Sequence, residues 1–311
     1  MCSKLIFRTF ALAKIRIIIN NRQLRTFHHT NFNATSSYKK PSRTVRPKKS
    51  LGQHFLKDLD IARQIAETLS GYRGMPVLEV GPGMGVLTRF LIEEGHDLSV
   101  VEVDMESVAY LHQHLPELQG RIVAEDFLKL DLNKLYPKSE SFCIIGNYPY
   151  HISSQIFFKV LEYREQVVCC SGMIQKEVAE RLAAGPGSKT YGITSALIQP
   201  WYDVEYLFTV SEEVFDPPPK VKSAVIRLTR NSRKTLGCDE ALYKQVVKTS
   251  FNQRRKTLRN SMKPLLGKEF PDYALPVFDK RPEQLSVEEF VDLTKITATT
   301  ETVPIAIKAS R

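Results

Sequence analysis

The chain has 311 residues, of which 42% are hydrophobic and 25% are charged, a composition typical of a globular protein with one large or two modest domains. No run of 18 apolar residues occurs, which excludes a transmembrane helix and predicts no membrane partner. The five cysteines form no CxxC pair and no zinc-like cluster with histidine. We therefore predict buried thiols in a reducing compartment and no metal site.

The formal net charge of +10 comes from two short regions. Residues 1–57 contain 13 Lys and Arg and no acidic residue, and residues 230–263 contain 10 basic and 2 acidic residues. Between them, residues 58–229 carry 15 basic and 24 acidic residues. A local basic patch on a near-neutral body indicates a polyanionic partner bound at one face, although a solvated charged helix would leave the same pattern.

Residues 1–45 are basic, lack acidic residues and are rich in Ser, Thr and Asn, which is typical of a mitochondrial transit peptide. The alternative is a translation start assigned too early, with the protein beginning near the sequence RPKKSLGQHFL. Under either interpretation we expect this N-terminal extension to be disordered, cleaved or absent, so it contributes nothing to the predicted fold.

From residue 60 onward, helix and strand patterns alternate along the chain. We predict helices at 60–70, 86–95, 105–115, 153–163 and 175–184, and strands at 76–80, 97–103, 121–125, 142–147 and 167–174. Later strands at 203–211 and 223–230 are expected to be partly antiparallel, and helices are expected at 239–267 and 286–296. This order predicts an α/β fold, a Rossmann-like doubly wound sheet followed by a smaller all-helical domain.

The sequence LEVGPGMGVLT places Gly81, Gly83 and Gly85 between a predicted strand and a helix. Glycines there let the backbone turn tightly and approach a ligand, but their GxGxG spacing differs from the GxGxxG of dinucleotide sites. At the end of the next strand, Glu102 can accept both hydroxyls of a ribose, whereas Asp104 could instead cap the following helix.

The third predicted strand ends in the sequence EDF. Asp126 can accept a hydrogen bond from the amine of adenine, and Phe127 can stack on the ring. A glycine loop and two acids at the ends of three successive strands describe a nucleoside site without a pyrophosphate cradle. S-adenosylmethionine has these requirements, so the pattern predicts it as the cofactor.

The fourth predicted strand ends in the sequence NYPY. Asn147 can offer its side-chain oxygen, and Tyr148 its backbone oxygen, to the exocyclic amine of an adenine, which favours a reactive nitrogen and stabilises developing positive charge. Pro149 fixes the backbone, and Tyr150 can stack on a base that has left its helix. The alternative is an ordinary turn, for which Asn-x-Pro is common.

These segments resemble a known family, the bacterial-type small-subunit ribosomal RNA adenine N6,N6-dimethyltransferases, over residues 48 to 294. The motifs that carry the resemblance are KKSLGQHFLKD, LEVGPGMGVLT, VVEVD, AEDFLKLD, GNYPYHISSQIFFK, MIQKEVAERLAA, VFDPPPKVKSAVIRL and FNQRRKTLRNSM. The resemblance implies dimethylation of two adjacent adenosines at N6 in an rRNA hairpin, with S-adenosylmethionine as methyl donor, late in small-subunit biogenesis.

Carried over by motif, the resemblance adds His54 and Leu56 to the cofactor site, beside Gly81, Gly83, Glu102, Asp126, Phe127 and Asn147. It implies catalytic contacts to the target base from Asn147, Tyr150 and Phe215. The chain departs from the family at His54, where Asn is usual, and at Tyr148, where Leu is common.

The FNQRRKTLRNSM segment resembles part of the family's rRNA-gripping helical domain. We predict that Arg254, Arg255, Lys256 and Arg259 lie on a helix and contact phosphates, which would position the RNA without reading its sequence. The predicted units are the extension at 1–45, a methyltransferase domain at 46–230, a helical rRNA-binding domain at 231–295 and a flexible tail at 296–311.

Two other functions remain compatible with the motifs. One is a DNA adenine-N6 methyltransferase, and the other is a largely non-catalytic factor in ribosome assembly or mitochondrial transcription. For the first function we expect a monomer that acts on rRNA within the pre-30S particle. The bacterial-type body predicts a cytoplasmic protein, or a mitochondrial matrix protein if residues 1–45 are a genuine transit peptide.

Overall fold

The computed structural model describes residues 45–299 of the chain. The predictions for the N-terminal extension, apart from residue 45, and for the tail beyond residue 299 lie outside the described residues. Within residues 45–299, no helix is long and apolar enough to cross a membrane. The same part of the chain contains no group of three or more His, Cys, Asp or Glu that could hold a metal ion.

The strands and helices alternate along most of the described chain. The strands are β1 (Phe55–Leu56), β2 (Pro76–Val80), β3 (Asp97–Val101), β4 (Ile122–Val123), β5 (Phe142–Asn147), β6 (Val167–Gln175), β7 (Tyr202–Val210), β8 (Phe215–Asp216) and β9 (Ser223–Arg230). The α-helices are α1 (Leu59–Glu67), α2 (Val86–Glu93), α3 (Met105–His114), α4 (Ser153–Glu162), α5 (Lys176–Ala183), α6 (Ile193–Ile198), α7 (Glu240–Asn252), α8 (Leu258–Ser261), α9 (Lys263–Leu266) and α10 (Val287–Ala298).

Seven strands form one sheet in the order β4-β3-β2-β5-β6-β9-β7. The first five run parallel, β9 runs antiparallel to β6, and β7 at the far edge runs antiparallel to β9. The predicted Rossmann-like sheet and its antiparallel late strands are thus confirmed. The strand order reverses between β2 and β5, and open α/β sheets bind ligands beyond the carboxyl ends of their strands at such a point.

Both faces of the sheet are covered, which explains why its central strands are apolar at most positions. Along β5, Phe142 and Ile144 pack into one apolar cluster, whereas Cys143 and Ile145 pack into the other. This alternation follows from the period of two in a strand. The first cluster extends into the C-terminal helices, and the second lies beneath α1, α2 and α3.

A second, two-stranded sheet joins distant parts of the chain. In it β1 pairs antiparallel with β8, so that Phe55 faces Asp216 and Leu56 faces Phe215. This pairing brings the GQHFL segment against the VFDPPP segment. Because Asn147 at the end of β5 donates to the backbone oxygen of His54, both segments lie near the carboxyl ends of the parallel strands.

The segment 239–267 is helical as predicted, but it is divided into three helices. Helix α7 ends at Asn252, Gln253 leaves the helical conformation, and Arg254–Lys256 lie in a turn before the short helix α8. The backbone nitrogen of Leu258 donates to the oxygen of Lys280 at 2.8 Å, and the side chains of Leu258 and Met262 are fully buried. The change of direction allows this burial, so only Arg259 of the four predicted RNA-binding residues lies on a helix.

Candidate active site

A cleft lies at the carboxyl ends of the parallel strands and is lined by residues from five of the eight motifs, those from KKSLGQHFLKD to GNYPYHISSQIFFK. It brings together almost all of the positions named from the sequence, namely His54, Leu56, Gly81, Gly83, Glu102, Asp126, Phe127, Asn147 and Tyr150. The point where strand order reverses, between β2 and β5, carries the glycine loop on one side and Asn147 on the other. The cleft is therefore where this fold class places ligands.

The glycine loop leaves room at one position and is closely packed at another. Gly81 and Gly83 have φ angles of +71° and +55°, a conformation that L side chains rarely adopt. A Cβ added at Gly83 would lie 2.9 Å from the Phe55 ring, whereas one at Gly81 would meet nothing within 4 Å. Gly83 thus packs against the GQHFL segment, and the backbone at Gly81 borders open space in the cleft.

Glu102 presents a buried carboxylate that is held by the backbone around it. Its two oxygens accept from the backbone nitrogens of Gly83, at 3.1 Å, and Asp104, at 2.9 Å. Burial raises the pKa of this carboxyl, with those hydrogen bonds opposing the effect. The carboxylate therefore has a fixed orientation beside the glycine loop, as a ribose-binding acid would need.

Asp104 ties the segment that precedes β1 to the edge of the cleft. It caps α3 by accepting from the nitrogen of Glu106, and it also accepts from Lys48 Nζ at 2.5 Å and Gln53 Nε2 at 3.2 Å. Burial alone would raise the pKa of Asp104, but these hydrogen bonds hold it below its ordinary value. The sequence suggested the cap and gave no signal for the contacts with Lys48 and Gln53.

The loop after β4 carries the two predicted adenine contacts. The Phe127 side chain is 4% exposed, and Asp126 Oδ1 accepts from the backbone nitrogen of Leu128 at 3.0 Å. The second oxygen of Asp126 lies 3.7 Å from Lys129 Nζ. Both residues line the cleft, so one carboxylate oxygen and an aromatic ring are available on the same wall.

Asn147 is oriented by a residue far away in the sequence. Its Nδ2 donates to the backbone oxygen of His54 at 3.1 Å. A carbonyl oxygen can only accept, so the amide nitrogen must face His54 and Oδ1 is left for another donor. The contact joins the GQHFL segment to the end of β5.

The Tyr148 side chain is turned into the core. It is 1% exposed, and its hydroxyl donates to the oxygen of Ser171 at 2.7 Å. A Cβ at Gly172 would lie 2.7 Å from its ring, and one at Gly146 would lie 2.9 Å from it, so two glycines on neighbouring strands make space for the tyrosine. This placement leaves the Tyr148 backbone as the part that can act at the cleft.

Tyr150 stands at the cleft between two polar neighbours. Its ring stacks with that of His54 at a centroid distance of 5.6 Å, and its hydroxyl lies 2.5 Å from Ser223 Oγ. Burial raises the pKa of the Tyr150 hydroxyl. His54 Nδ1 donates to the oxygen of Pro217 at 2.8 Å, which fixes the orientation of both rings.

Glu79 lines the cleft and was not named from the sequence. It lies on β2 just before the glycine loop and is 1% exposed, and its Oε2 has no hydrogen-bond partner among the described residues. Burial, with a smaller contribution from the charge of Glu102, raises its pKa to about 8. The signal in the sequence was an acid inside the apolar run PVLEV.

Known proteins match this chain over the region that contains these motifs. A sequence model of the family described as ribosomal RNA adenine dimethylase matches residues 45–299. The chain belongs to this family. Over 254 residues it is 76% identical to the ribosomal RNA small subunit methyltransferase A of Parabacteroides distasonis, with 82% of this chain and 95% of that protein covered.

Solved structures support the fold class of this dimethylase. A dimethyladenosine transferase from Plasmodium falciparum matches with a TM-score of 0.64 and 23% identity, covering 77% of this chain and 96% of that chain. The 23S rRNA methyltransferase ErmE matches with a TM-score of 0.59 and 26% identity, covering 78% and 99% respectively. The predicted methyltransferase sheet with a C-terminal helical region is confirmed.

Among the predicted catalytic and cofactor-binding residues, Phe215 is the one that does not line the cleft. Its side chain is 1% exposed and packs in the second apolar cluster, opposite Leu56 in the β1–β8 pair. Its contact with a target base stays a prediction.

The four predicted RNA-binding residues differ in whether their side chains already bond to another part of the protein. Arg254 donates to the backbone oxygen of Lys189, and Arg259 pairs with Asp279 at 2.5 Å. Arg255 and Lys256 are exposed and form no ion pair with another described residue. These two are the residues in the turn after α7 whose charges are free for phosphates.

Proposed function

We propose that this chain transfers methyl groups from S-adenosylmethionine to N6 of two adjacent adenosines in small-subunit rRNA. Membership of the dimethylase family supports the reaction. The observation that carries it is the orientation of Asn147, whose side-chain nitrogen is held by His54 while its oxygen is left for an incoming donor. The buried Glu102 carboxylate of the same cleft supplies the cofactor half of the site.

The residues of the cleft fit S-adenosylmethionine. Glu102 would accept the ribose hydroxyls, and Asp126 and Phe127 would contact the adenine. Open space in front of Gly81 lets the ligand approach the backbone, and the unpartnered oxygen of Glu79 suits a positively charged group. When bound, the cofactor supplies a methyl group on a sulfonium, which is a strong electrophile.

Asn147 and Tyr148 act on the nucleophile. The N6 lone pair of adenine is delocalised into the ring, so the amine is a poor nucleophile. Hydrogen bonds from its two N–H groups to Asn147 Oδ1 and the Tyr148 oxygen would favour a pyramidal nitrogen and stabilise the positive charge that develops on it. The core packing of the Tyr148 side chain fixes that backbone oxygen in place.

Tyr150 provides a surface for the target base. A base inside a duplex cannot reach a cleft at the end of a sheet, so it must leave the stack and lie against an aromatic ring. The contacts of Tyr150 with His54 and Ser223 hold the ring in one orientation before the base arrives. Binding of the base then requires a smaller loss of side-chain conformational entropy.

The basic turn after α7 is proposed to contact the rRNA backbone through Arg255 and Lys256. Phosphate contacts fix the register of a nucleic acid and carry no sequence information, and folded RNA is recognised largely by shape. The pre-30S particle as the substrate, the monomeric state, the cytoplasmic location and the division at residue 230 remain proposals that accompany this one.

Incorporation of labelled methyl groups tests the proposal. The full chain is incubated with labelled S-adenosylmethionine and, in separate reactions, with undermodified small ribosomal subunits and with an adenine-containing DNA duplex. Label in the rRNA alone, lost in Asn147→Ala, supports the proposal. Label in the DNA would instead identify a DNA adenine methyltransferase, and no label in either would leave a non-catalytic factor.

A further inference from the structure

The loop that carries Asp126 and Phe127 is held from one side by a lysine that the proposed mechanism does not use. Lys159 lies on α4 and is only 7% exposed. Its Nζ donates to the backbone oxygen of Leu128 at 3.2 Å, directly after the two adenine contacts. A lysine is rarely buried without a partner, so its place beneath this loop calls for an explanation.

The ammonium group of Lys159 lies close to two aromatic rings. Its Nζ lies 5.7 Å from the centroid of the Phe127 ring and 5.5 Å from that of Tyr163. Both distances are within the range of a cation–π contact, which is stronger when the cation is desolvated. The ammonium thus lies on the Phe127 ring that lines the cofactor cleft.

Tyr163 extends the same support along the loop. Its hydroxyl donates to Asp131 Oδ1 at 3.0 Å and accepts from the backbone nitrogen of Leu132 at 3.3 Å. Lys159 and Tyr163 are one helical turn apart, and they contact the loop at Leu128 and at Asp131.

No carboxylate neutralises Lys159 directly. None lies within 4.0 Å of its Nζ in the described part of the chain, although Glu162, Asp131 and Asp126 are near enough to favour its charged form. Burial lowers its pKa. The rings and the Leu128 oxygen are therefore its main compensation, and a buried charge so arranged resists displacement of those groups.

We propose that Lys159 is a positioning residue for cofactor binding. It fixes the Phe127 ring and, through Leu128, the Asp126 carboxylate at the wall where the cofactor's adenine would lie. Because α4 starts shortly after the NYPY sequence, the same lysine links this wall to the helix that follows the target-base site. The proposal rests on the proposed function, since it assumes an adenosyl ligand in the cleft.

The test measures binding of S-adenosylhomocysteine to the full chain by calorimetry. Lys159→Met should raise the Kd about five- to tenfold, a size between those of an exposed and a fully desolvated cation–π contact. Lys159→Arg should bind nearly as the wild type does, because it keeps a cation at the ring. At saturating cofactor, kcat of Lys159→Met should stay close to the wild-type value, so the loss is in KM.

Three further variants separate positioning from general support of the fold. Lys134→Met removes an exposed lysine close to the same loop and should leave the Kd unchanged. Lys159→Gln keeps a donor for Leu128 without the charge and should bind as weakly as Lys159→Met. In a Phe127→Leu background, Lys159→Met should have a smaller effect than in the wild type, because the contact between the ammonium and the ring is already lost.

The outcomes distinguish this proposal from the one on which it rests. If the wild type does not bind S-adenosylhomocysteine, the proposed function fails. If the wild type binds and Lys159→Gln binds equally well, the positioning role of the charge is refuted. A Lys159→Met effect that is undiminished in the Phe127→Leu background would also overturn it, because the lysine would then act on the fold at large.

Discussion

The side-chain nitrogen of Asn147 donates a hydrogen bond to the backbone oxygen of His54 at 3.1 Å. The two residues belong to motifs that are 93 positions apart in the chain. The bond closes the GQHFL segment over the end of β5, and it determines which atom of the amide is left for substrate. This hydrogen bond thereby connects the cofactor cleft to the site of the methyl acceptor.

We expect Asn147→Ala to lower kcat about 100- to 1,000-fold, because it removes one preorganised acceptor from the position where positive charge develops. Binding of S-adenosylhomocysteine should change much less, since Glu102 and the glycine loop are untouched. Single-turnover methyl transfer and calorimetry measure the two quantities. Equal losses in binding and turnover would mean that Asn147 serves the cofactor rather than the acceptor.

Tyr148→Leu should destabilise the protein and leave its chemistry largely intact. The substitution deletes the hydroxyl bonded to the Ser171 oxygen and leaves a cavity over Gly146 and Gly172, so we expect a loss of about 2–3 kcal/mol in the free energy of unfolding. Tyr148→Phe removes only the hydrogen bond and should cost about 1 kcal/mol. Urea denaturation measures both losses.

The kcat of folded Tyr148→Leu should remain near that of the wild type, because the backbone oxygen is what faces the acceptor. A loss in kcat comparable to that of Asn147→Ala would show that the tyrosine side chain itself takes part in the reaction.

Helices and strands could be predicted from the sequence where the pattern of neighbouring residues alone determines them. Apolar runs bounded by glycine or polar residues gave β2, β5 and β9 with their observed bounds, because both faces of the central sheet are buried. The break within the helical segment 239–267 was not predicted, because the residues around Arg254 favour a helix locally. The break depends on burial of Leu258 against a segment more than twenty residues later.

In the candidate site, too, local patterns could be predicted from the sequence and contacts between distant segments could not. Strand-end positions such as Glu102 and Asn147 could be placed because parallel strands end at one edge of a sheet. Contacts between segments, such as Lys48 with Asp104, depend on how distant loops close and left no periodic signal. Glu79 was overlooked because an acid inside an apolar strand is not part of any spacing pattern.

The free charges in the turn after α7 lead to a prediction about salt. Replacing Arg255 and Lys256 by Ala should weaken binding to the small subunit and reduce the slope of log K against log salt by about 1.5, since each phosphate contact contributes about 0.7–0.9. Filter binding over a salt series measures the slope.

The pair Arg254→Ala and Arg259→Ala is the matched control for that measurement. Both residues already bond within the protein, to Lys189 and Asp279, so the slope should change less. A larger change for the control pair than for Arg255 and Lys256 would contradict this assignment of the RNA contacts.

Glu79 should make stability depend on pH. Burial raises its pKa from 4.5 to about 8, so its contribution to folding is full below about pH 4.5 and is lost as the pH rises through about 8. Compared with Glu79→Gln, the wild type should lose up to a few kcal/mol of unfolding free energy between about pH 5 and pH 8. Denaturant unfolding over this range measures the difference.

Glu117→Gln, which alters an exposed acid, should give a curve parallel to that of the wild type. Were Glu79→Gln also parallel to the wild type, the pKa of the Glu79 carboxyl would not be raised in the folded chain, and the carboxyl would be ionised at neutral pH.

The central claim is that this cleft dimethylates adenine at N6 in small-subunit rRNA. The most direct test is mass spectrometry of nuclease fragments from undermodified small subunits after reaction with the full chain and S-adenosylmethionine. We expect four added methyl groups, two on N6 of each of two adjacent adenosines, and addition about 100- to 1,000-fold slower with Asn147→Ala. Methyl groups on any other atom or nucleotide, or an unmodified rRNA with the wild-type chain, would contradict this claim.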